Sequence, residues 1–270
     1  MSPRHAPWAE APPDFAIGLG PIAEADWLEG GEADPAARKD GLLAAHRELV
    51  WAETQGSRDA QAEVLALVEA ATGRAADRPD LPPLYAASRL VADDLVLMQK
   101  SDAWRVAALS LSAPTFFSAE QVIGHSLAEL HGPVPTFAER FGKRVERIFD
   151  GLRPGLVLQR RNWTLVNTGE LFTPRSAPIR ARIGEIAPTE AGEALFLRVE
   201  RQTLRRLPQT GGVVFTIRVW RDPLASLAGD PARLAAFAEA WRGATPAFRA
   251  YKGLAPYDAL VEGFLRAAGE

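Results

Sequence analysis

Four histidines, no cysteine and a dense run of arginines define the chemistry this chain can offer. His131 stands in the stretch AELHGPVP, directly ahead of a turn held by Pro133 and Pro135. Its imidazole can act as an axial ligand to a haem iron, with its direction set by the proline turn, or it can simply belong to the turn. His125 lies six residues earlier, a spacing that keeps the two rings off a common helix face. There is no HExxH pattern and no catalytic-triad motif, so an all-histidine zinc site has no support. Without cysteine, these residues form no disulfide, offer no thiolate nucleophile and ligate no zinc, haem or iron–sulfur cluster through sulfur.

Two further stretches carry polar groups in strand-like surroundings. RRNWT places Asn162 and Trp163 on opposite faces of a strand, because side chains alternate with a period of two. Asn162 can orient a polar substrate or bound oxygen, and Trp163 can wall a cofactor; a sheet interface with an exposed Asn and a buried Trp explains them equally simply. In LRVERQTLRRLPQTGGVVFTIRVW, Arg198, Glu200 and Gln202 share one face, and Arg201, Thr203 and Arg205 the other. Arginine forks here suit the carboxylates of a cofactor, or form a solvated salt-bridge network. Gly211 and Gly212 mark a tight connection, since neither dinucleotide-binding nor Walker spacing surrounds them. In YKGL, Lys252 can reach an acidic cofactor edge or serve only as a surface lysine.

The elements that must position these groups are read from periodicity. Two helices are expected between residues 34 and 75, separated by TQGSRD. Consecutive strands follow in DDLVLMQK and DAWRVAALSLSAPTFF, then a short helix or loop system in SAEQVIGHSLAEL. TFAERFGKRVERIFDGL has helical spacing. GLVLQRRNWTLVNTGELF, PIRARIGEI, LFLRVERQTLRRL and VVFTIRVWRDPL read as strands, and two helical stretches close the chain. This order predicts an α+β fold, an antiparallel sheet flanked by helices, with residues 1–26 as an extended N-terminal arm and residues 27–270 as one domain.

The chain has 270 residues, 47% of them hydrophobic, enough for one sizeable core. A formal charge of −3 supplies no basic field for nucleic acid or an anionic membrane. The N-terminal stretch lacks an apolar signal core, and no segment offers about 18 consecutive apolar residues, so a cytoplasmic location is expected.

Taken together, HGPVP, LQRRNWTLVNTGELF, LRVERQTLRRLPQTGGVVFTIRVWRDPL and YKGL resemble the haem-dependent oxidative N-demethylase-like family, from about Phe15 through Leu265. The resemblance implies a PAS-like curved antiparallel sheet that encloses haem b, with flanking helices and N- and C-terminal helical additions. It also implies oxidative removal of a methyl group from a small secondary amine such as dimethylamine, with molecular oxygen as co-substrate and formaldehyde released. Electrons would come from NADPH through flavin and iron–sulfur centres on partner chains. Within that resemblance His131 is the leading axial ligand and His125 the runner-up. Asn162 would supply hydrogen-bond orientation, Trp163 pocket shape, Arg201 or Arg205 a haem-propionate anchor, and Lys252 a contact to the cofactor's acidic edge. Two alternatives stay open: a haem-binding sensor or regulatory subunit without demethylase activity, and a structural protein whose pocket is empty.

Overall fold

A computed structural model describes residues 2–10, 16–132 and 142–270. Helix α1 (Pro35–Val50) starts where Asp34 accepts a hydrogen bond from the Ala37 amide and Pro35 occupies the first turn. It runs directly into strand β2 (Trp51–Glu53), so Trp51 opens a strand rather than continuing a helix. Helix α2 (Arg58–Thr72) ends at Gly73 in the left-handed conformation, and α3 (Pro83–Arg89) begins inside the proline-rich connection. The hairpin of β3 (Asp94–Lys100) and β4 (Trp104–Ser110) turns at residues 101–103, as its alternation predicts.

Two short helices, α4 (Ala119–Val122) and α5 (Leu127–His131), precede α6 (Lys143–Gly151). The expected helix over residues 136–152 is therefore present in its C-terminal part, while Pro133 and Pro135 lie outside the described residues. The long strands are β5 (Val157–Val166), β6 (Phe196–Arg206) and β7 (Val213–Pro223). PIRARIGEI, read as a strand, instead forms α7 (Ala177–Arg180) and a 3-10 turn over Ile183–Glu185, since Pro178 sits well in a first helical turn. Helices α8 (Ala191–Ala194), α9 (Pro231–Gly243), α10 (Pro246–Lys252) and α11 (Asp258–Ala268) complete the order. Strand β1 (Gly20–Ile22), within the N-terminal 26 residues, joins the sheet.

All strand pairs are antiparallel, in the order β1-β5-β6-β7-β3-β4-β2. The α+β class holds, but the PAS-like curved sheet is corrected: the seven strands form an open sheet with β1 and β2 as separate edges, neither curled nor closed round a ligand. Alternation along a strand specifies which side chains share a face, but not which strand becomes the neighbour or whether the edges meet.

Both faces are covered unevenly. On one, Trp163, Leu165, Leu197 and Val199 pack beneath α9 and α11, while Val157, Leu95, Leu97 and Val214 pack beneath α1 to α3. On the other, Leu158, Leu204 and Phe215 meet Leu127 and Leu130 of α5 and Val145 and Phe149 of α6. In the middle of β5 and β6 both faces turn polar, and one of these polar zones holds the candidate site.

Candidate functional site

The β5–β6 register places Arg160 opposite Gln202 and Asn162 opposite Glu200, so all four side chains emerge on the α5 face. They form one hydrogen-bonded set. Arg160 Nε donates to Gln202 Oε1 at 2.6 Å, and Gln202 Nε2 donates to Glu200 Oε2 at 2.8 Å. Asn162 Nδ2 points to the same carboxylate oxygen at 3.4 Å. The other Glu200 oxygen accepts from Thr115 Oγ1 at 2.5 Å, and Arg198 Nε donates to that hydroxyl at 2.9 Å.

Lys252 enters from the end of α10 and donates to Asn162 Oδ1 at 2.7 Å. Four residues earlier on the same helix face, Phe248 packs against Trp163, with ring centroids 6.3 Å apart. β1 pairs only with the first residues of β5, so α10 can lie across the upper edge of β5 and touch residues of both faces. Burial pushes the Lys252 ammonium down to about 8, against the attraction of Glu200 and together with repulsion from Arg160. The Arg160 guanidinium is also lowered by burial, with Glu200 opposing the shift. Arg160, Lys252 and Arg198 thus surround the Glu200 carboxylate, and the zone carries an excess of positive charge suited to anionic groups.

His131 closes α5, whose start is held by a reciprocal cap between Ser126 and Glu129. Its Nδ1 lies 2.8 Å from the Leu127 carbonyl, a contact that requires the Nδ1–H tautomer and leaves the ring lone pair on Nε2. Burial lowers its pKa, the Leu127 carbonyl opposes this, and the nearby Arg160 charge adds to it. A neutral imidazole with an oriented Nδ1–H is the form that ligates metals. His125 is exposed, and its backbone carbonyl accepts from Val106 N.

The structure therefore joins Asn162 to Lys252, sets His131 within reach of the Arg160 charge on the same sheet face, and leaves three other predicted residues apart. Trp163 faces away, in the aromatic group with Trp8, Phe237 and Phe248, where it seats α10. Arg201 also lies on that opposite face, donating to Gln159 and to the carbonyls of Trp27 and Asp26, with Glu29 at 3.4 Å. Arg205 pairs with Glu24 and covers the Trp27 ring at 4.4 Å. Both guanidiniums tie the 24–29 segment to the sheet. Sequence reasoning missed Arg160 and Thr115: strand parity with Asn162 signals the first, whereas Thr115 comes from a loop whose approach to Glu200 has no local signature.

These residues fit a haem. A porphyrin supplies four ligands to its iron, so one imidazole on an apolar floor with cations for the two carboxylates is a sufficient donor set. Among the described residues no group of three or more His, Asp or Glu side chains could hold a bare metal ion. Nor, among them, is any helix long and apolar enough to cross a membrane. A cavity of about 430 Å³ is bordered by His46, Leu49, Phe172, Arg175 and Ile179, and includes none of the polar cluster.

The family model described as haem-dependent oxidative N-demethylase, alpha subunit-like, matches residues 67–261, a span that holds His131, Asn162, Glu200 and Lys252 but starts later than the resemblance from Phe15. The chain belongs to the haem-dependent oxidative N-demethylase alpha-subunit-like family.

Proposed function

We propose that this chain is a haem-binding oxidoreductase subunit that removes a methyl group from a small secondary amine such as dimethylamine, with molecular oxygen as co-substrate and formaldehyde as a product. In this reading it acts in the cytoplasm, with electrons originating from NADPH and reaching it through flavin and iron–sulfur centres on partner chains. The observation that carries the proposal is the convergence on one sheet face of a neutral His131 with Arg160 and Lys252, inside the span matched by the family.

His131 would ligate the iron through Nε2, with the Leu127 carbonyl holding the ring in the required tautomer. Arg160 and Lys252 would pair with the haem carboxylates, a role that passes to them from Arg201 and Arg205, whose guanidiniums are engaged on the other face. When bound, haem supplies the oxygen and one-electron chemistry that no side chain here provides. Asn162, fixed between Lys252 and Glu200, would hold a polar substrate atom in place by hydrogen bonding. Glu200, Thr115 and Gln202 keep the polar wall fully hydrogen-bonded, so that Asn162 retains one orientation.

The test is a set of oxidised, reduced and carbon-monoxide-bound absorption spectra of the haem-supplemented chain beside His131→Ala, followed by formaldehyde release from dimethylamine with a reductase. Stoichiometric haem, a changed axial-ligand spectrum in the variant and amine-dependent formaldehyde are expected. A wild type that takes up no haem overturns the proposal. Haem without an amine response leaves a haem-binding protein that is not a demethylase.

A further inference from the structure

We infer that Arg180 is a positioning residue of this site, holding Lys252 on one side and the Thr115–Phe116 loop on the other, with Gly253 as the seat that lets it do so. Arg180 ends the short helix α7, which is itself held from outside: Asn167 Nδ2 donates to the Ile179 carbonyl at 2.6 Å, and Tyr257 donates its hydroxyl to Asn167 Oδ1 at 2.9 Å. The helix thus delivers the guanidinium to one place. There Arg180 Nη2 donates to the Lys252 carbonyl at 3.3 Å.

Gly253 is required at this contact for two reasons. It ends α10 with φ +63°, in the left-handed region. A β-carbon at this position would also lie under 3.0 Å from the Arg180 guanidinium, closer than side chains tolerate. The glycine of YKGL therefore lets a cation lie against the backbone directly behind the lysine. On its other side the guanidinium stands 5.5 Å from the centre of the Phe116 ring.

Phe116 has φ 65°, the one non-glycine residue with a positive φ among the described residues, and its N–H donates to the Thr173 carbonyl at 2.8 Å. The preceding residue, Thr115, contacts Glu200. One guanidinium consequently braces the two backbone segments that bring Lys252 and Thr115 to the same polar wall. Arg180 touches none of the groups assigned to cofactor or substrate; it acts through the backbone at Lys252 and the ring at Phe116.

The test follows the Lys252 ammonium directly and does not depend on haem. The full chain is labelled with 13C at the lysine ε-carbons, the signal is assigned with Lys252→Arg, and its pH titration is recorded in wild type, Arg180→Met, Arg180→Lys and Gly253→Ala. The charged groups facing Lys252 are Glu200 from β6 and Arg160 from β5, with Tyr251 beside it on α10 and Arg180 behind its carbonyl. A wild-type midpoint near 8 is expected. Arg180→Met and Gly253→Ala should each move it at least one pH unit toward the ordinary lysine value of 10.5, as the side chain escapes into water.

Arg180→Lys should recover part of the shift. Lys39, buried elsewhere with a midpoint also pushed down to about 8, reports whether each variant is still folded. If Arg180→Met unfolds, so that Lys39 moves as well, Gly253→Ala and Arg180→Lys decide the question. A Lys252 midpoint unchanged in the folded variants overturns the inference.

For the consequence in the site, the inference rests on the haem reading above: the apparent Kd for haem should rise about tenfold in Arg180→Met. A wild type that binds no haem defeats that reading and leaves the lysine result standing. A shifted lysine with unchanged haem affinity removes Arg180 from the site's function.

Discussion

Arg198 offers the sharpest test of how the polar wall is held up. Its side chain is 1% exposed, yet it donates to Thr115 Oγ1 at 2.9 Å and to the carbonyls of Ala113, Pro114, Glu170 and Leu171 at 2.8, 3.2, 3.1 and 2.9 Å. One buried cation thus reinforces two loops otherwise tied by the Thr115–Thr173 bridge and by the Thr173 hydroxyl on the Pro114 carbonyl. Hydrogen bonds from a charged donor contribute ~1.5–3 kcal/mol each, so five at the lower bound come to about 7 kcal/mol. Against this, burial pulls the guanidinium from 12.5 to about 10, with Glu200 and Asp94 opposing; that depression corresponds to ~3 kcal/mol disfavouring the charged form. The difference predicts that Arg198→Met lowers stability by about 4 kcal/mol, since methionine fills the space but leaves the carbonyls of Ala113, Glu170 and Leu171 without a donor, while that of Pro114 keeps the Thr173 hydroxyl. Urea unfolding followed by far-ultraviolet circular dichroism measures this, and a Tm drop of about 10 °C should accompany it. Arg198→Lys keeps the charge without the fork and should fall between. A loss below about 1 kcal/mol for the methionine variant would mean that water reaches these carbonyls, and the argument for Arg198 as the brace behind Thr115 and Glu200 would fail.

Two other buried carboxylates give contrasting expectations. Asp93 is fully buried with no hydrogen bond to either side-chain oxygen among the described residues, and burial raises its pKa to about 6 against the pull of Arg218, Lys39 and Arg201. Because the folded value lies above the unfolded one of 3.8, the favourable neutral form contributes fully below about 3.8 and is lost as pH rises through about 6. Asp93→Asn should therefore gain Tm over wild type at pH 8, with the gain shrinking toward pH 4; a less stable variant at pH 8 would contradict this reading. Glu63 of α2 does the opposite work, accepting from Gln209 N, Thr210 N and Thr210 Oγ1 at 2.6, 2.9 and 2.6 Å and tying down the β6–β7 turn. Glu63→Ala should cost ~2–4 kcal/mol in denaturant unfolding, and a change under 0.5 kcal/mol, read against the ~1 kcal/mol of an ordinary hydrogen bond, would rule out the tether.

The amino-acid sequence by itself determined the α+β class, the long strands β5 to β7 and the separation of their side chains into two faces. Arg198, Glu200 and Gln202 share a face because a strand repeats every two residues, and the observed register keeps that parity. The long motifs likewise carried the family resemblance that the match over residues 67–261 bears out. Tertiary structure decided the rest. PIRARIGEI forms α7 and a 3-10 turn, with Pro178 in the first helical turn and the Asn167 side chain holding the Ile179 carbonyl from twelve positions away. Arg201 and Arg205 look like cofactor anchors in the run of residues, but the 24–29 segment, some 175 positions away, takes up both guanidiniums. The open sheet in place of a curled one follows from the pairing order of strands far apart in sequence, which local alternation does not encode. His131, Asn162 and Lys252 come from a short helix, a strand and a helix end. Only the burial of the apolar floor between α5 and β5 and the crossing of α10 over the β5 edge bring them to one sheet face.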